Sequence, residues 1–74
     1  MPRYYFHVRH GQLTVIDRQG MELAGELEAA LEAAIRGREI ATSQAIRGVP
    51  TQDGLIIVED ECDHRLFALP VDVG

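Results

Sequence analysis

Residues 25–47 read G-E-L-E-A-A-L-E-A-A-I-R-G-R-E-I-A-T-S-Q-A-I-R, and this stretch decides the fold. Its apolar residues recur at the three- and four-residue spacing of a helix face. Glutamates near its start and Arg47 at its end complement the helix dipole, and Gly48 and Pro50 are typical of a helix end. The sequence therefore predicts one long helix whose core-facing stripe is formed by Leu27, Ala30, Leu31, Ala34, Ala41 and Ala45.

The segments on both sides of this helix have the composition of β-strands. Residues 3–9 are rich in aromatic and β-branched types, and His10-Gly11 separates them from residues 12–16 with a glycine that a tight hairpin turn can use. After the helix, residues 55–60 and 65–70 flank a polar turn. The sequence predicts a single α+β domain over residues 1–74 with the element order ββαββ.

The connections between these elements predict how the strands pair. Each pair of consecutive strands forms an antiparallel hairpin, and the helix returns the chain across one face, so strands 1 and 3 run in opposite directions and can pair. We therefore expect a four-stranded antiparallel sheet in the order 2-1-3-4, with the helix packed on one face.

The predicted lengths indicate that the chain self-associates. A helix of about 23 residues is ~35 Å long, whereas strands of about six residues reach ~20 Å, so the helix overhangs the sheet or bends near Gly37. One helix also covers only one face of a sheet whose other face is partly apolar. We expect a homodimer formed through the sheet face or through a second, small-residue helix face of Ala29, Ala33, Gly37 and Ile40.

The charge balance disfavours some partners and compartments. Twelve acidic residues against seven arginines and no lysine give a formal net charge of −5, which repels phosphate backbones but tolerates a basic protein surface. The longest apolar run, residues 55–58, is far shorter than the roughly 20 residues of a membrane-spanning helix. With one cysteine and no leader-like segment, we expect a cytoplasmic protein that binds neither nucleic acid nor membrane.

The residues that could carry chemistry do not form a known pattern. Cys62 and His64, like His7 and His10, lack the spacing of zinc ligands, and Glu61 beside Cys62 disfavours the thiolate. No glycine-rich nucleotide loop is present. We expect no catalytic residue, no metal and no cofactor, and hence a protein that is not an enzyme.

Three motifs resemble a known family. They are the opening M-P-R-Y-Y-F-H-V-R, the D-x-x-G-x-E-L segment of residues 17–23, and an E-A-A helix before an I-x-V-x-D strand. Together they resemble short bacterial proteins, commonly beginning M-P-R-Y-F-F-H, that are catalogued only as a domain of unknown function. The resemblance implies the ββαββ layout and no established activity. His10 and Cys62 depart from the family pattern, whereas His7 matches it and is our candidate binding residue.

A weaker resemblance leads to an alternative function. Antitoxins of the HicB type place a strand near Tyr-Tyr and an E-A-L-x-x-A helix against a sheet, although their glycine-proline sheet signature is missing here. The leading hypothesis is a non-enzymatic interaction module that self-associates and has an unidentified protein partner. The alternative is an acidic antitoxin that neutralises a basic partner.

Overall fold

The computed structural model of the protein describes residues 1–47 and 54–71. In this part of the chain the elements are β1 (Arg3–His10), β2 (Leu13–Val15), β3 (Met21–Glu22), α1 (Glu26–Arg47), β4 (Gly54–Asp60) and β5 (Arg65–Pro70). The predicted α+β class and single long helix are confirmed. The predicted helix stop at Gly48 and Pro50 and the side chain of Ala45 lie outside the described residues.

The sheet is antiparallel, and its longer strands lie in the order β2-β1-β4-β5. The predicted set of four strands is incomplete, because β3 pairs with the same edge of β1 as β2 does. β2 pairs with residues 8–10 of β1, and β3 pairs with Arg3 and Tyr4. The turn at residues 17–20, which follows β2, returns the chain to β1.

Gly20 makes this return possible. Its φ of +69° lies in the left-handed region that side chains disfavour. A Cβ at this position would lie 2.8 Å from Cγ of Arg3, 2.9 Å from Cε1 of Tyr5 and 3.0 Å from the carbonyl oxygen of Tyr4. The chain therefore passes close to β1 only because residue 20 has no side chain.

The core lies between α1 and one face of the sheet. Phe6 of β1 and Ile56 and Val58 of β4 are buried on this face, together with Tyr4. The helix meets them with small residues, because Ala29, Ala33 and Ala41 are 0% exposed. Small side chains let the helix backbone approach the bulky aromatic and β-branched residues of the strands.

The predicted division of the helix into faces is wrong. Leu27 is 69% and Leu31 58% exposed, and Ala34 is exposed as well, so among the described side chains of the stripe predicted to face the core only Ala41 is fully buried. The residues predicted for self-association, Ala29, Ala33, Gly37 and Ile40, lie on the core side instead, and Ile40 is partly buried there. Periodicity identifies two apolar faces on this helix but not the one that packs. The sheet supplies large side chains, so the face with the smaller residues fits against it.

Gly37 does not interrupt the helix, since α1 is continuous from Glu26 to Arg47. A Cβ on Gly37 would lie 3.8 Å from Cγ1 of Ile56 and 3.8 Å from the carbonyl oxygen of Pro70, which is ordinary contact. The glycine at this position is therefore not required by packing.

Three glycine-to-alanine variants separate the cost of a left-handed backbone conformation from the cost of adding a Cβ in a crowded position. Gly37→Ala should stabilise the fold by about 0.5–1 kcal/mol, because alanine has the higher helix propensity. Gly11, at φ +63° with nothing within 4 Å of its Cβ position, reports the cost of the backbone conformation alone. Gly20→Ala should lower the free energy of unfolding by at least about 1 kcal/mol more than Gly11→Ala does, because its Cβ also collides with β1. Urea unfolding measures all three, and equal losses at positions 11 and 20 would contradict the close approach.

Candidate functional site

The candidate site lies on the open face, which we define as the side of the sheet opposite α1. Successive side chains of a strand point to opposite faces. Tyr4 and Phe6 face the helix, so Tyr5, His7 and Arg9 lie on the open face of β1. His7 pairs in register with Ile57 of β4, and Tyr5 pairs with Glu59.

His7 is 9% exposed, and both of its ring nitrogens are hydrogen-bonded. The backbone N–H of Asp17 donates to Nδ1 of His7 at 3.0 Å. Because Nδ1 accepts this bond, the ring proton lies on Nε2, which donates to Oε1 of Glu59 at 3.1 Å. The plane of the Tyr5 ring stacks on this imidazole, with centroids 6.5 Å apart and an interplanar angle of 10°. These contacts hold His7 in one orientation and one tautomer.

Asp17 fills a gap along the edge of β1. On that edge β2 ends opposite Val8 and β3 begins opposite Tyr4, which leaves the N–H of Phe6 without a partner strand. Oδ2 of Asp17 accepts this N–H at 3.1 Å, and Oδ1 accepts the N–H groups of Gln19 and Gly20, each at 3.1 Å. The carboxylate therefore takes the place of a carbonyl of a neighbouring strand, and it also stabilises the turn that begins at Asp17.

These N–H donors favour the ionised form of the Asp17 carboxyl group. Burial raises the pKa of the carboxyl, but the N–H groups of Phe6, Gly20 and Gln19 and the nearby charge of Arg36 outweigh burial, so the pKa is below its usual value. Arg36 is itself held in place on the helix. Its guanidinium lies 4.4 Å from the centroid of the Phe6 ring, and its Nε is 2.8 Å from Oε2 of Glu32.

A shallow groove of about 330 Å³ runs across the open face above His7. The buried residues His7 and Ile57 lie at its centre. The exposed residues Arg9 and Arg65 lie on its rim, and among the described residues neither forms a salt bridge. The remaining lining residues are Gln12, Thr14, Ile16 and Glu59.

The other residues considered from the sequence are not brought into this groove. Cys62 and His64 lie in the exposed turn between β4 and β5. Oδ1 of Asp60 accepts the N–H groups of Cys62 and His64, each at 2.9 Å, and the bond from His64 is the main cause that lowers the pKa of Asp60. This turn is thus built by backbone bonds to one carboxylate, and neither Cys62 nor His64 approaches His7.

His10 lies on the helix side of β1, where its Nε2 is buried and finds no hydrogen-bond partner among the described residues. It therefore does not act together with His7. Across residues 1–47 and 54–71, no three His, Cys, Asp or Glu side chains come close enough to hold a metal ion. Within the same residues, no helix has both the length and the apolar character needed to cross a membrane.

The sequence singles out His7 but does not indicate the residues that form hydrogen bonds with it. Glu59 lies 52 positions away from His7, and only the register of β1 with β4 brings the two together. The D-x-x-G spacing that begins at Asp17 is the signal that its carboxylate accepts bonds from the backbone of the turn. The arginines of the groove carry no signal of their own in the sequence.

Replacing Asp17 tests its role at the edge of β1. Asp17→Asn should destabilise the fold by about 1 kcal/mol at neutral pH, because a neutral amide accepts the Phe6 N–H less strongly. Since folding lowers the pKa of Asp17, its contribution is present above the reference value of 3.8 and is lost as the pH falls below it. The difference in stability between wild type and variant should therefore shrink in acid.

Glu22→Gln is the matched control, because the pair of Glu22 with Arg3 is solvent-exposed. We expect its effect to stay below about 0.5 kcal/mol at neutral pH. Urea unfolding at several pH values measures both variants. A loss for Asp17→Asn that is no larger than that of Glu22→Gln would contradict the bond to Phe6.

Comparisons with known proteins bear on the resemblance to a domain of unknown function. Neither the curated proteins nor the solved structures include a match to this chain. One family model matches residues 3–72, which is nearly all of the sequence. The chain therefore belongs to the family described as Domain of unknown function (DUF6894).

Proposed function

We propose that the protein is a non-enzymatic interaction module that self-associates as a homodimer through the outer side of α1. The observation that carries this proposal is a row of large aliphatic residues pointing away from the sheet. Leu27, Leu31, Ile35 and Ile46 are all more than half exposed. They lie on the opposite side of the helix from Ala29, Ala33 and Gly37, and we call them the outer ridge.

The outer ridge offers enough apolar surface for a weak dimer. Fully burying a leucine or isoleucine contributes about 1.5–3 kcal/mol, and the ridge residues are already partly covered. Leu27, Leu31 and Ile35 lie in the half of α1 that an antiparallel helix pair would cover, and burying these three in each copy would contribute on the order of 5–10 kcal/mol, against an association cost of about 4–15 kcal/mol. The balance favours a dimer that forms and dissociates with protein concentration.

The charges along the helix favour a second copy as the occupant of this surface. The first part of α1 carries Glu26, Glu28 and Glu32, and Arg38 lies further along, beside the ridge. Two helices related by a two-fold axis perpendicular to them run antiparallel, which places the acidic part of each near the arginine of the other. An axis midway between Leu31 and Ile35 would set Glu28 opposite Arg38 of the second copy.

A non-enzymatic role is supported by how the reactive side chains are used. His7 is held by Asp17 and Glu59, and Cys62 lies in an exposed turn formed around Asp60. The antitoxin alternative has no separate observation in its favour and stays a prediction.

Introducing a charge on the ridge tests self-association. In light scattering over a range of concentrations, wild type should rise above its 8.2 kDa monomer mass towards a dimer. Leu31→Glu should stay monomeric and folded, because an exposed position tolerates glutamate while an apolar interface does not. Leu13→Glu is the matched control, since Leu13 is 67% exposed but lies on β2. A wild type that remains a monomer at every concentration, or a dimer lost only in Leu13→Glu, would refute the ridge.

Charge reversal tests the antiparallel arrangement separately. Arg38→Glu should weaken the dimer at low salt, because it places like charges near each other. Adding Glu28→Arg to the same chain should restore part of the affinity. Sedimentation equilibrium measures the dimer dissociation constants of the single and double variants. A double variant that dimerises more weakly than Arg38→Glu would argue against this register.

A further inference from the structure

We infer that the groove on the open face binds a small organic anion, with Arg9 and Arg65 as the residues that hold its carboxylate or phosphate group. Neither arginine takes part in the proposed dimer surface, because the outer ridge lies on the far side of the molecule. The inference rests on three features of the groove: its free positive charge, the way its acid is held, and its shape.

The first feature is the free positive charge. An arginine of the groove can bind an anion only if no carboxylate of the chain already occupies its N–H donors. Among the described residues, the arginine salt bridges are those of Arg3 with Glu22 and Arg36 with Glu32. Arg9, Arg18, Arg38 and Arg65 form no salt bridge with another residue of the part of the chain that the structure describes. Of these four, Arg9 and Arg65 line the groove, from different strands. An arginine guanidinium binds carboxylates and phosphates through paired N–H donors.

The second feature is how Glu59 is held. Glu59 lies directly across from Arg65 in the β4–β5 register, which is the usual position for an ion pair. Its Oε1 is instead bound by Nε2 of His7 at 3.1 Å. A register shift between Val58 and Glu59 lies at the same point, and such irregularities redirect side chains. His7 is thus a positioning residue that holds the acid and leaves Arg65 available.

The third feature is the shape of the groove. Its volume of about 330 Å³ lies near the lower end of ligand pockets, which start at roughly 300 Å³, so a small molecule fits better than a peptide. Ile57 and Ile16 provide apolar contact for the body of the ligand, and Thr14 and Gln12 provide hydrogen bonds at the rim. A ligand with one anionic end and a short apolar or hydroxylated body matches these residues.

Titration of the full chain with defined probes tests the inference. Inorganic phosphate, phenyl phosphate and benzoate are added to ¹⁵N-labelled protein, and amide chemical shifts are followed. At least one probe should saturate, with the largest shifts at residues 7–9, 14 and 65. Preference for phenyl phosphate would identify a phosphate ligand, and preference for benzoate a carboxylate ligand, and both results support the site.

Matched variants make the result specific. Arg9→Gln and Arg65→Gln should each weaken binding of the same probe at least tenfold. Arg18→Gln removes an exposed arginine outside the groove and should change binding less than twofold. The inference is overturned if no probe saturates, or if Arg18→Gln weakens binding as much as the groove variants do. Thermal unfolding of each variant checks that its fold is retained.

Glu59→Gln gives a second readout that a purely structural role would not produce. The amide still accepts the bond from His7 but removes the negative charge beside Arg65, so anion binding should strengthen by several-fold. An unchanged affinity would show that the negative charge of Glu59 does not weaken anion binding in the groove. Repeating the titration in Leu31→Glu separates ligand binding from self-association, because the groove should bind equally well in the monomer.

Discussion

The bond between the Asp17 carboxylate and the N–H of Phe6 is the interaction on which the rest of the structure depends. Phe6 lies in the middle of β1, where an unpaired buried N–H would be costly. Closing the gap between β2 and β3 with a side chain lets the chain leave the sheet, turn at Gly20 and return. The same turn points the Asp17 N–H at His7, so the edge of the sheet and the open-face site are built by one residue.

The approach of α1 to the sheet is the second constraint. The strands contribute the large side chains of this core, namely Phe6, Ile56 and Val58, so the helix must contribute small ones. Ala29 and Ala33 meet that requirement, and of the larger aliphatic residues of the helix only Ile40 packs against the core, whereas the four residues of the outer ridge are exposed. The inner face of α1 therefore packs through its small residues, and the large aliphatic residues of the outer ridge do not contribute to this core. The outer ridge thus lies on the side of α1 opposite the tightly packed alanines.

Periodicity and composition were enough to predict α1, the four longer strands and the α+β class. They were not enough for β3, because a two-residue strand has no periodicity and depends on the contact of Gly20 with β1. They also misassigned the helix faces, because a leucine stripe is the stronger signal in a sequence although the alanine face packs. His7 could be singled out only through the resemblance of the opening segment to a family pattern. Its partner Glu59 could not, because their contact depends on the β1–β4 register.

The two proposed surfaces are independent for a geometric reason. The helix separates the outer ridge from the core, and the sheet separates the core from the open face, so the two surfaces lie on opposite sides of a two-layer molecule. A dimer formed through the ridge would leave both copies of the groove exposed and facing away from each other. Phe6 has contacts with both the helix and the turn that supports the open-face site. Its ring contacts Arg36 on the helix, while its N–H is bound by Asp17, the residue that also holds His7.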